Sequence, residues 1–477
     1  MVHIDDEIGS SSRATQAPPR WAMTTFVALF AMNMLDYLDR NLLMSMQPQI
    51  KEDLRISNFQ WGLLTSIFLV SYSVFGPFMG WLGDRLRRTW LLGLGVGVWS
   101  LATIGSGLAR TYGHMAVARS VLGIGEATYG VIAPTILLDL FAREQRARLM
   151  SAYYVAMPLG SALGIGLGSV IASKLSWHLA FFMVGAPGVA AALLVLFLPE
   201  PVRGASEGVD TERLKALERA GARREDYLAL SKNASYVYAV LGMAAYTFAI
   251  GGMLVWVPIY LFTTRGFDQA RAGTILGVIT LAAAVLGMSA GGWLADRLAK
   301  TKPEALFLVP AVAMFGSIPF VVAALLLNAE PAIFAAIFLA EALMFVNTGP
   351  CNAIIANVVQ PNLRAAAYSI AIFAVHFLGD IWSPSLIGKV SDLFGDAEMM
   401  AGRLGRVLSS IGAVPTQVNG HSPENIVAGL FVVVPALLLS GILLLAGARY
   451  LRREMAQMQS RLEAAPESAA TAEATNS

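Results

Sequence analysis

Charged side chains lie inside two long apolar stretches of this chain, where they are costly to place. The first stretch contains Asp36, Asp39 and Arg40, and a later stretch contains Arg119 and Glu126. Asp36 and Arg40 are four residues apart and Arg119 and Glu126 are seven apart, so each pair shares one helix face. Ionisable groups inside membrane spans are rare, and they indicate a path or site for protons or solutes.

Glu126 is the residue whose surroundings best fit proton transfer. Its neighbours on the helix are Leu122, Gly123 and Gly130, so its carboxyl group can be neutral in one conformation and ionised in another. An arginine that moves close to Glu126 would favour the ionised form. For Asp36 with Arg40, a structural ion pair that holds the helices together explains the spacing as well as a functional pair does.

Other polar residues interrupt the apolar stretches and predict a solute site. His376 can titrate near neutral pH, although a lone histidine in a span is more often a hydrogen-bonding residue. The charges concentrate in the first half of the chain, so we expect an amphipathic central cavity that suits an anionic head and an apolar tail. The candidate substrate-binding residues are Arg40, Asp36, Tyr37, Tyr129, Glu341, Asn347, His376 and Asp380.

The elements that must position these residues are membrane helices. The chain is 56% hydrophobic and only 14% charged, and about 20 apolar residues cross a bilayer core of roughly 30 Å. We therefore expect an all-α membrane protein with twelve transmembrane helices in two six-helix bundles. The predicted spans are approximately 21–47, 59–83, 89–108, 113–140, 148–173, 177–198, 234–262, 271–296, 304–327, 331–358, 365–391 and 425–448.

A repeated string divides the chain into two halves. Gly-Trp-Leu-Gly-Asp-Arg at 80–85 returns as Gly-Trp-Leu-Ala-Asp-Arg at 292–297, and each copy closes an apolar stretch. Two similar membrane bundles are typical of a transporter. The predicted boundaries are an N-terminal tail at 1–20, a bundle at 21–198, a linker at 199–233, a second bundle at 234–450 and a C-terminal tail at 451–477.

Several function classes are disfavoured. The one cysteine, Cys351, excludes an intramolecular disulfide and a cysteine-based metal cluster, and no nucleophile–base pair or metal-ligand set is visible. We expect a protein that is not an enzyme and has neither a cofactor nor a metal. The net charge of +2 gives no reason to expect nucleic acid. The expected partners are a small amphipathic substrate, protons and the lipid bilayer, and the expected state is a monomer.

The distribution of basic residues predicts the orientation. Arginines in short loops, such as Arg85, Arg87 and Arg88, indicate the cytoplasmic side, which places both termini in the cytoplasm. The first 20 residues lack a signal-peptide pattern, so the first span is expected to direct insertion. Arg outnumbers Lys 27 to 7, which favours a bacterial inner membrane over an endolysosomal membrane.

The repeated motif resembles that of the major facilitator superfamily. The segment GWLGDRLRR at 80–88 is similar to the loop between the second and third spans of that superfamily, where an aspartate and arginines close the cytoplasmic gate. The resemblance implies that Asp84, Arg85 and Arg88 form this gate. It also implies that Asp296 and Arg297 are the mirror set.

Within that superfamily the chain resembles the spinster family of lipid transporters. The similar strings are YLDR (37–40), ARSVLGIGEATYGVIAPTILLDLF (118–141), AMPLGSALG (156–164), WVPIYL (256–261) and HFLGDIWSPSLIGKVSDLF (376–394). The resemblance implies coupling of protons and substrate, with Glu126, Asp39 and Arg119 as proton-coupling residues beside Arg40. A lysophospholipid or sphingoid phosphate is the implied substrate class.

Two other transporter classes stay open. Organic anion–proton symporters share Tyr-x-Asp-Arg in the first span and Gly-x-x-Glu-Ala in the fourth, and a multidrug-type proton antiporter is a further alternative. Similarity in the eleventh span favours the spinster family. A sensor or scaffold without transport would require that the central charges be dispensable.

Overall fold

A computed structural model describes residues 21–83, 85–141, 149, 152–201, 230–359, 364–416 and 423–474. In this part of the chain the structure is helical, apart from one isolated β-bridge between Thr416 and Glu424. The predicted tail at 1–20, most of the linker and the gate residue Asp84 lie outside the described residues. The helices form two bundles, referred to below as the N-half and the C-half.

The six spans of the N-half are close to the predicted ones. A short helix, Gln47–Leu54, separates the first span from the second. The spans are Ala22–Ser45, Asn58–Gly83, Arg88–Gly107, Tyr112–Leu140, Ala156–Lys174 and Trp177–Val195.

The C-half repeats this plan with more interruptions. Its seventh span continues into a π-helical turn, Tyr260–Thr264, and its tenth and eleventh spans are each built from two helices. The spans are Ala234–Ile259, Gln269–Ala299, Ala305–Leu326, Glu330–Phe345 with Thr348–Val358, Arg364–Leu378 with Ser383–Leu393, and Val433–Ala474. Three short helices precede the last span, at Ala397–Ala401, Arg403–Ser410 and Ile426–Leu430.

Eleven of the described helical segments are long and apolar enough to cross a membrane. The first helix is outside this set because Asn33, Asp36, Asp39 and Arg40 lower its hydropathy. The last helix continues to Ala474, so it extends well beyond the predicted end of the span at 448 and into the segment that was expected to be a separate tail.

Glycines bring the first span against the fifth. A Cβ atom on Gly160 would lie 2.3 Å from the carbonyl oxygen of Met34, and one on Gly164 would lie 2.5 Å from that of Leu38. Small residues every fourth position permit such close helix contact in membranes. This packing fixes the rotation of the first span, and with it the direction in which the charged residues point.

The halves meet along two seams on one side of the molecule. We call it the far side. It carries the connection 46–57 and the described residues 394–416 and 423–425. The opposite side is called the linker side. At one seam the second span contacts the eleventh. The Ser66 and Ser385 hydroxyls are 2.7 Å apart, and a Cβ atom on Gly62 would lie 2.2 Å from the Pro384 carbonyl oxygen.

The other seam joins the fifth span to the eighth. A Cβ atom on Gly277 would lie 2.7 Å from the carbonyl oxygen of Ala162. Nearby, the Gln49 side chain donates to Gln269 at 2.7 Å. The backbones of the halves are therefore in direct contact on the far side, which closes that side of the molecule.

The glycine at the first seam predicts a stability difference within one helix. We expect Gly62→Ala to lower the stability of the purified protein by about 1–3 kcal/mol, because the added methyl group overlaps the Pro384 backbone. Gly76→Ala is the matched control, since no atom lies within 4 Å of its Cβ position, and alanine should stabilise the helix there by up to about 1 kcal/mol. Thermal unfolding in detergent measures both. Equal shifts for the two variants would contradict the tight seam.

Candidate functional site

Arg40 forms the centre of a charged cluster inside the N-half. Its Nε atom lies 2.5 Å from Oε2 of Glu126 on the fourth span, and its terminal nitrogen lies 3.3 Å from Oδ2 of Asp36 one turn earlier. The Glu126 side chain is fully buried, whereas the Arg40 side chain is 20% exposed. Arg40 thus links a buried carboxylate to a space that a solute can reach.

A second pair of charges lies deeper in the same bundle. Asp39 is fully buried and accepts a short hydrogen bond from the Thr103 hydroxyl of the third span. Arg119 is also buried, interacts electrostatically with Asp39 and Glu126, and has two side-chain nitrogens without a hydrogen-bond partner. Asp39 and Arg119 are thus two buried groups of opposite charge within one bundle.

The charges of the cluster do not balance. Asp36, Asp39 and Glu126 carry three carboxyl groups, whereas Arg40 and Arg119 carry two positive charges. Asp36 and Glu126 both contact the Arg40 guanidinium, and each keeps one buried carboxyl oxygen without a hydrogen-bond partner, so either of them can hold a proton. A single bound proton therefore makes the cluster neutral, and neutrality is strongly favoured in a dry interior.

Aromatic rings surround the two guanidinium groups, and the sequence analysis named Tyr37 but missed Phe68 and Tyr72. The carbon of the Arg40 guanidinium lies 4.8, 5.2 and 4.9 Å from the ring centres of Tyr37, Phe68 and Tyr72. The Arg119 guanidinium lies 5.2 Å from the same Phe68 ring. Ring faces attract cations, so Phe68 helps to hold both arginines. The four-residue spacing of Phe68 and Tyr72 places both rings on one helix face, and this was the signal in the sequence for the aromatic contact.

The C-half contributes a smaller polar set. His376 Nδ1 lies 2.9 Å from Oδ2 of Asp380, and the His376 side chain is 38% exposed. An electrostatic interaction connects His376 with Arg40 of the N-half. His376 and Arg40 are thus within electrostatic range of each other, and both side chains are partly exposed.

Glu341 and Asn347 lie within the C-half and do not join the charged cluster. Glu341 is buried beside Thr280, with one carboxyl oxygen unpaired. Asn347 is at the break in the tenth span and accepts a hydrogen bond from Cys351 Sγ at 2.7 Å. The backbone amides at this break are hydrogen-bonded to carbonyl oxygens three residues earlier.

Tyr129 was predicted to bind substrate, but the structure places it in the core of the N-half. It is 1% exposed, and its hydroxyl donates to the Leu29 carbonyl oxygen at 2.5 Å. The Tyr153 hydroxyl donates to Tyr129 at 3.0 Å, and the Trp99 ring packs edge-on against it. These contacts describe a residue that supports the helices around the cluster.

The predicted gate residues have unequal surroundings. Arg88 is buried and lies 2.6 Å from Asp139 at the end of the fourth span. Arg85 stacks on Trp81 with its guanidinium carbon 4.1 Å from the ring centre. In the second copy of the motif, Asp296 and Arg297 are both exposed.

Glu200 anchors Arg88, and the sequence analysis missed this contact. Its carboxylate accepts hydrogen bonds from the Arg88 and Thr89 backbone amides at 2.9 and 3.1 Å, which caps the start of the third span. Partial burial would raise the pKa of Glu200, but the hydrogen bonds from Thr89 and Arg88 outweigh it and hold this pKa below its usual value. The linker therefore begins with a carboxylate fixed against the gate loop.

Comparisons with known proteins assign the family. The Major Facilitator Superfamily profile matches residues 29–384. The chain is 35% identical over 390 residues to Protein spinster homolog 1 of Xenopus tropicalis, which covers 78% of this chain and 73% of the relative. The chain belongs to the spinster family of the major facilitator superfamily. Its members are transporters and not enzymes.

Further comparisons agree with this assignment. Protein spinster homolog 1 of Homo sapiens is 34% identical over 409 residues, or 82% of this chain and 76% of the relative. A solved structure of a bacterial homologue of the human lysosomal transporter spinster, inward-facing and unoccupied, superposes with a TM-score of 0.79. It has 22% identity and covers 92% of this chain and 99% of that one. The expected fold, twelve membrane helices in two bundles, is confirmed.

The hydrogen bond between Thr103 and Asp39 gives a testable prediction for this spinster-family site. We expect Thr103→Val to destabilise the protein by about 1–3 kcal/mol, because a buried carboxylate loses its donor. Ser106→Ala on the same helix is the control, since the buried Ser106 hydroxyl bonds to the carbonyl oxygen of Ala102 one turn earlier. Thermal unfolding compares them. A Thr103→Val shift no larger than that of the control would show that Asp39 does not depend on Thr103.

Proposed function

We propose that this spinster-family protein is a proton-coupled secondary transporter that moves an amphipathic, anionic, lipid-like solute by alternating access. The observation that carries this proposal is the ion pair between Arg40 and Glu126. It lies in a cluster with one carboxyl group more than it has positive charges. Such a cluster gains or loses a proton when Arg40 exchanges the Glu126 carboxylate for another anion.

Competition for Arg40 provides the coupling. An anionic head group that binds the exposed part of Arg40 displaces the Glu126 carboxylate. The displaced carboxylate is fully buried, where an unpaired negative charge is costly, so it takes up a proton. Anion and proton then bind together, and by linkage each strengthens the binding of the other. This order of events favours symport of the anion with a proton.

The unequal distribution of charge between the two halves supports an amphipathic solute. The N-half provides the cations and aromatic rings, whereas the facing C-half contributes His376 and Asp380 as its polar set. We expect a phosphate or carboxylate head to bind beside Arg40, near the Tyr37 and Tyr72 rings, with Asp36 in its protonated form. A lysophospholipid or sphingoid phosphate is the substrate class that combines this head with an apolar tail.

We also propose which side of the protein faces the cytoplasm and which residues close that side. We place the linker side and both termini in the cytoplasm, because the short basic loops lie there, and we propose a bacterial inner membrane and a monomer. Asp84, Arg85 and Arg88 then close the cytoplasmic side in the opposite conformation, with Asp296 and Arg297 as the weaker copy. The buried, doubly anchored Arg88 supports the stronger role of the first copy.

Glu126→Gln tests the coupling directly. We expect this variant to lose the accumulation of substrate that an imposed pH gradient drives, because an amide cannot exchange the proton. Uptake should fall to the level of protein-free liposomes. Exchange of substrate without a gradient should persist, because glutamine can still accept a hydrogen bond from Arg40. Uptake of a labelled lysolipid and a small organic acid is measured side by side, with exposed Glu398 changed to Gln as the control.

The outcomes separate coupling from substrate choice. Gradient-driven accumulation by Glu126→Gln with unchanged pH dependence would show that Glu126 is not the coupling acid. Transport of the organic acid alone by the wild-type protein would replace the lipid assignment with the organic anion–proton symporter class. Loss of exchange as well as accumulation would place Glu126 in substrate binding instead.

A further inference from the structure

A buried ion pair connects the two halves on the far side of the molecule. Lys51, at the end of the short helix Gln47–Leu54, contacts Oε2 of Glu424, which precedes the last span. Lys51 is 8% exposed and Glu424 is 4% exposed. We propose that Lys51 and Glu424 form the far-side latch, an ion pair that closes the transporter on this side and must break each time the site opens there.

Asn58 joins the two charges into one network. Its side-chain oxygen accepts from Lys51 Nζ at 2.7 Å, and its side-chain nitrogen donates to Glu424 Oε2 at 2.9 Å. The same nitrogen donates to the Ser391 hydroxyl of the eleventh span at 3.1 Å. Asn58 is fully buried, so its side-chain nitrogen keeps these two acceptors only while the halves are together.

The C-half holds Glu424 rigidly through the next residue. The Asn425 backbone amide donates to the Ser391 carbonyl oxygen at 3.0 Å, and its side chain donates to the Ala413 carbonyl oxygen at 3.0 Å. The Asn425 side-chain oxygen caps the helix that starts at Ile426. Glu424 therefore moves with the C-half, while Lys51 moves with the N-half.

A second carboxylate of the C-half reinforces the same contact. The oxygens of Asp392 accept from the backbone amides of Asn58 and Phe59 at 3.1 and 2.9 Å. Amides at the start of a helix have no acceptor within the helix, and the helix dipole stabilises a carboxylate at that position. An aspartate of one half thus caps a helix of the other, beside the latch.

The burial of this ion pair determines the direction in which a substitution shifts the conformational equilibrium. In the closed state Lys51 has Glu424 as its charged partner, so removing one partner leaves the other charge buried and unpaired, which is strongly unfavourable. In the open state both groups reach water, so the same change costs little. Neutralising Glu424 must therefore shift the population toward far-side-open forms. This inference rests on the alternating access proposed above.

The test measures conformation and does not depend on any substrate. Spin labels at positions 52 and 409, exposed on the two halves of the far side, report opening by distance measurements in lipid nanodiscs, in a Cys351→Ala background. Labels at 87 and 300 report the linker side. The variants are Glu424→Gln, the exchange Lys51→Glu with Glu424→Lys, and Glu398→Gln as a control on the same far-side segment.

We expect Glu424→Gln to increase the far-side-open fraction at least about tenfold, the shift that corresponds to 1.4 kcal/mol, and the exchange to return it toward wild type. The Asn58 amide can flip to serve the exchanged charges. An unchanged distribution for Glu424→Gln, or no recovery in the exchange, would overturn the latch. A latch that responds as expected in a protein that moves no solute would instead refute the proposed function alone.

Discussion

The structure depends on one electrostatic constraint, which is that three carboxyl groups and two guanidinium groups share a dry space between the first and fourth spans. Burial of unpaired charge is far more costly than a single hydrogen bond contributes. The neighbouring residues consequently stabilise these charges. Thr103 donates a hydrogen bond to Asp39, and Phe68 lies against both arginines. The glycines of the fifth span bring these groups together by letting the first span approach closely.

The same constraint connects the chemistry to movement. In the mechanism proposed above, Arg40 binds either Glu126 or an incoming anion, and the protonation of the cluster follows its occupancy. The proposed far-side latch has the complementary role, since Lys51 and Glu424 are paired while the halves are together. A change of charge at the centre and a change of contact at the far side are then two parts of one conformational cycle.

Much of this architecture was predictable from the sequence. The twelve spans follow from runs of apolar residues, the two halves follow from the repeated motif, and Glu126 is conspicuous because leucine and glycine surround it. These signals are local, and local patterns determine helices in a membrane. The tenth and eleventh spans were predicted as continuous, because their breaks at 346–347 and 379–382 lie in sequence that is still largely apolar.

Contacts between distant segments were not predictable in this way. The sequence placed Asp36 beside Arg40 but did not show that Glu126 binds Arg40 more closely, because that depends on how two helices are rotated. Lys51 and Glu424 are 373 residues apart, and both looked like ordinary loop charges. The spacing of Tyr129 from Glu126 likewise did not show that its hydroxyl faces Leu29.

The central claim is that the solute-free cluster holds one proton, on Asp36 or on Glu126, because it has one carboxyl group more than it has guanidinium groups. Infrared difference spectroscopy of the protein in lipid, titrated over pH, measures it through the carbonyl stretch of a protonated carboxyl group. We expect such a band that is lost as pH rises and is absent in both Glu126→Gln and Asp36→Asn, because either change leaves two carboxylates against two guanidinium groups. A band that is unchanged in Glu126→Gln, or a wild-type protein whose cluster carboxyl groups all stay ionised, would contradict it.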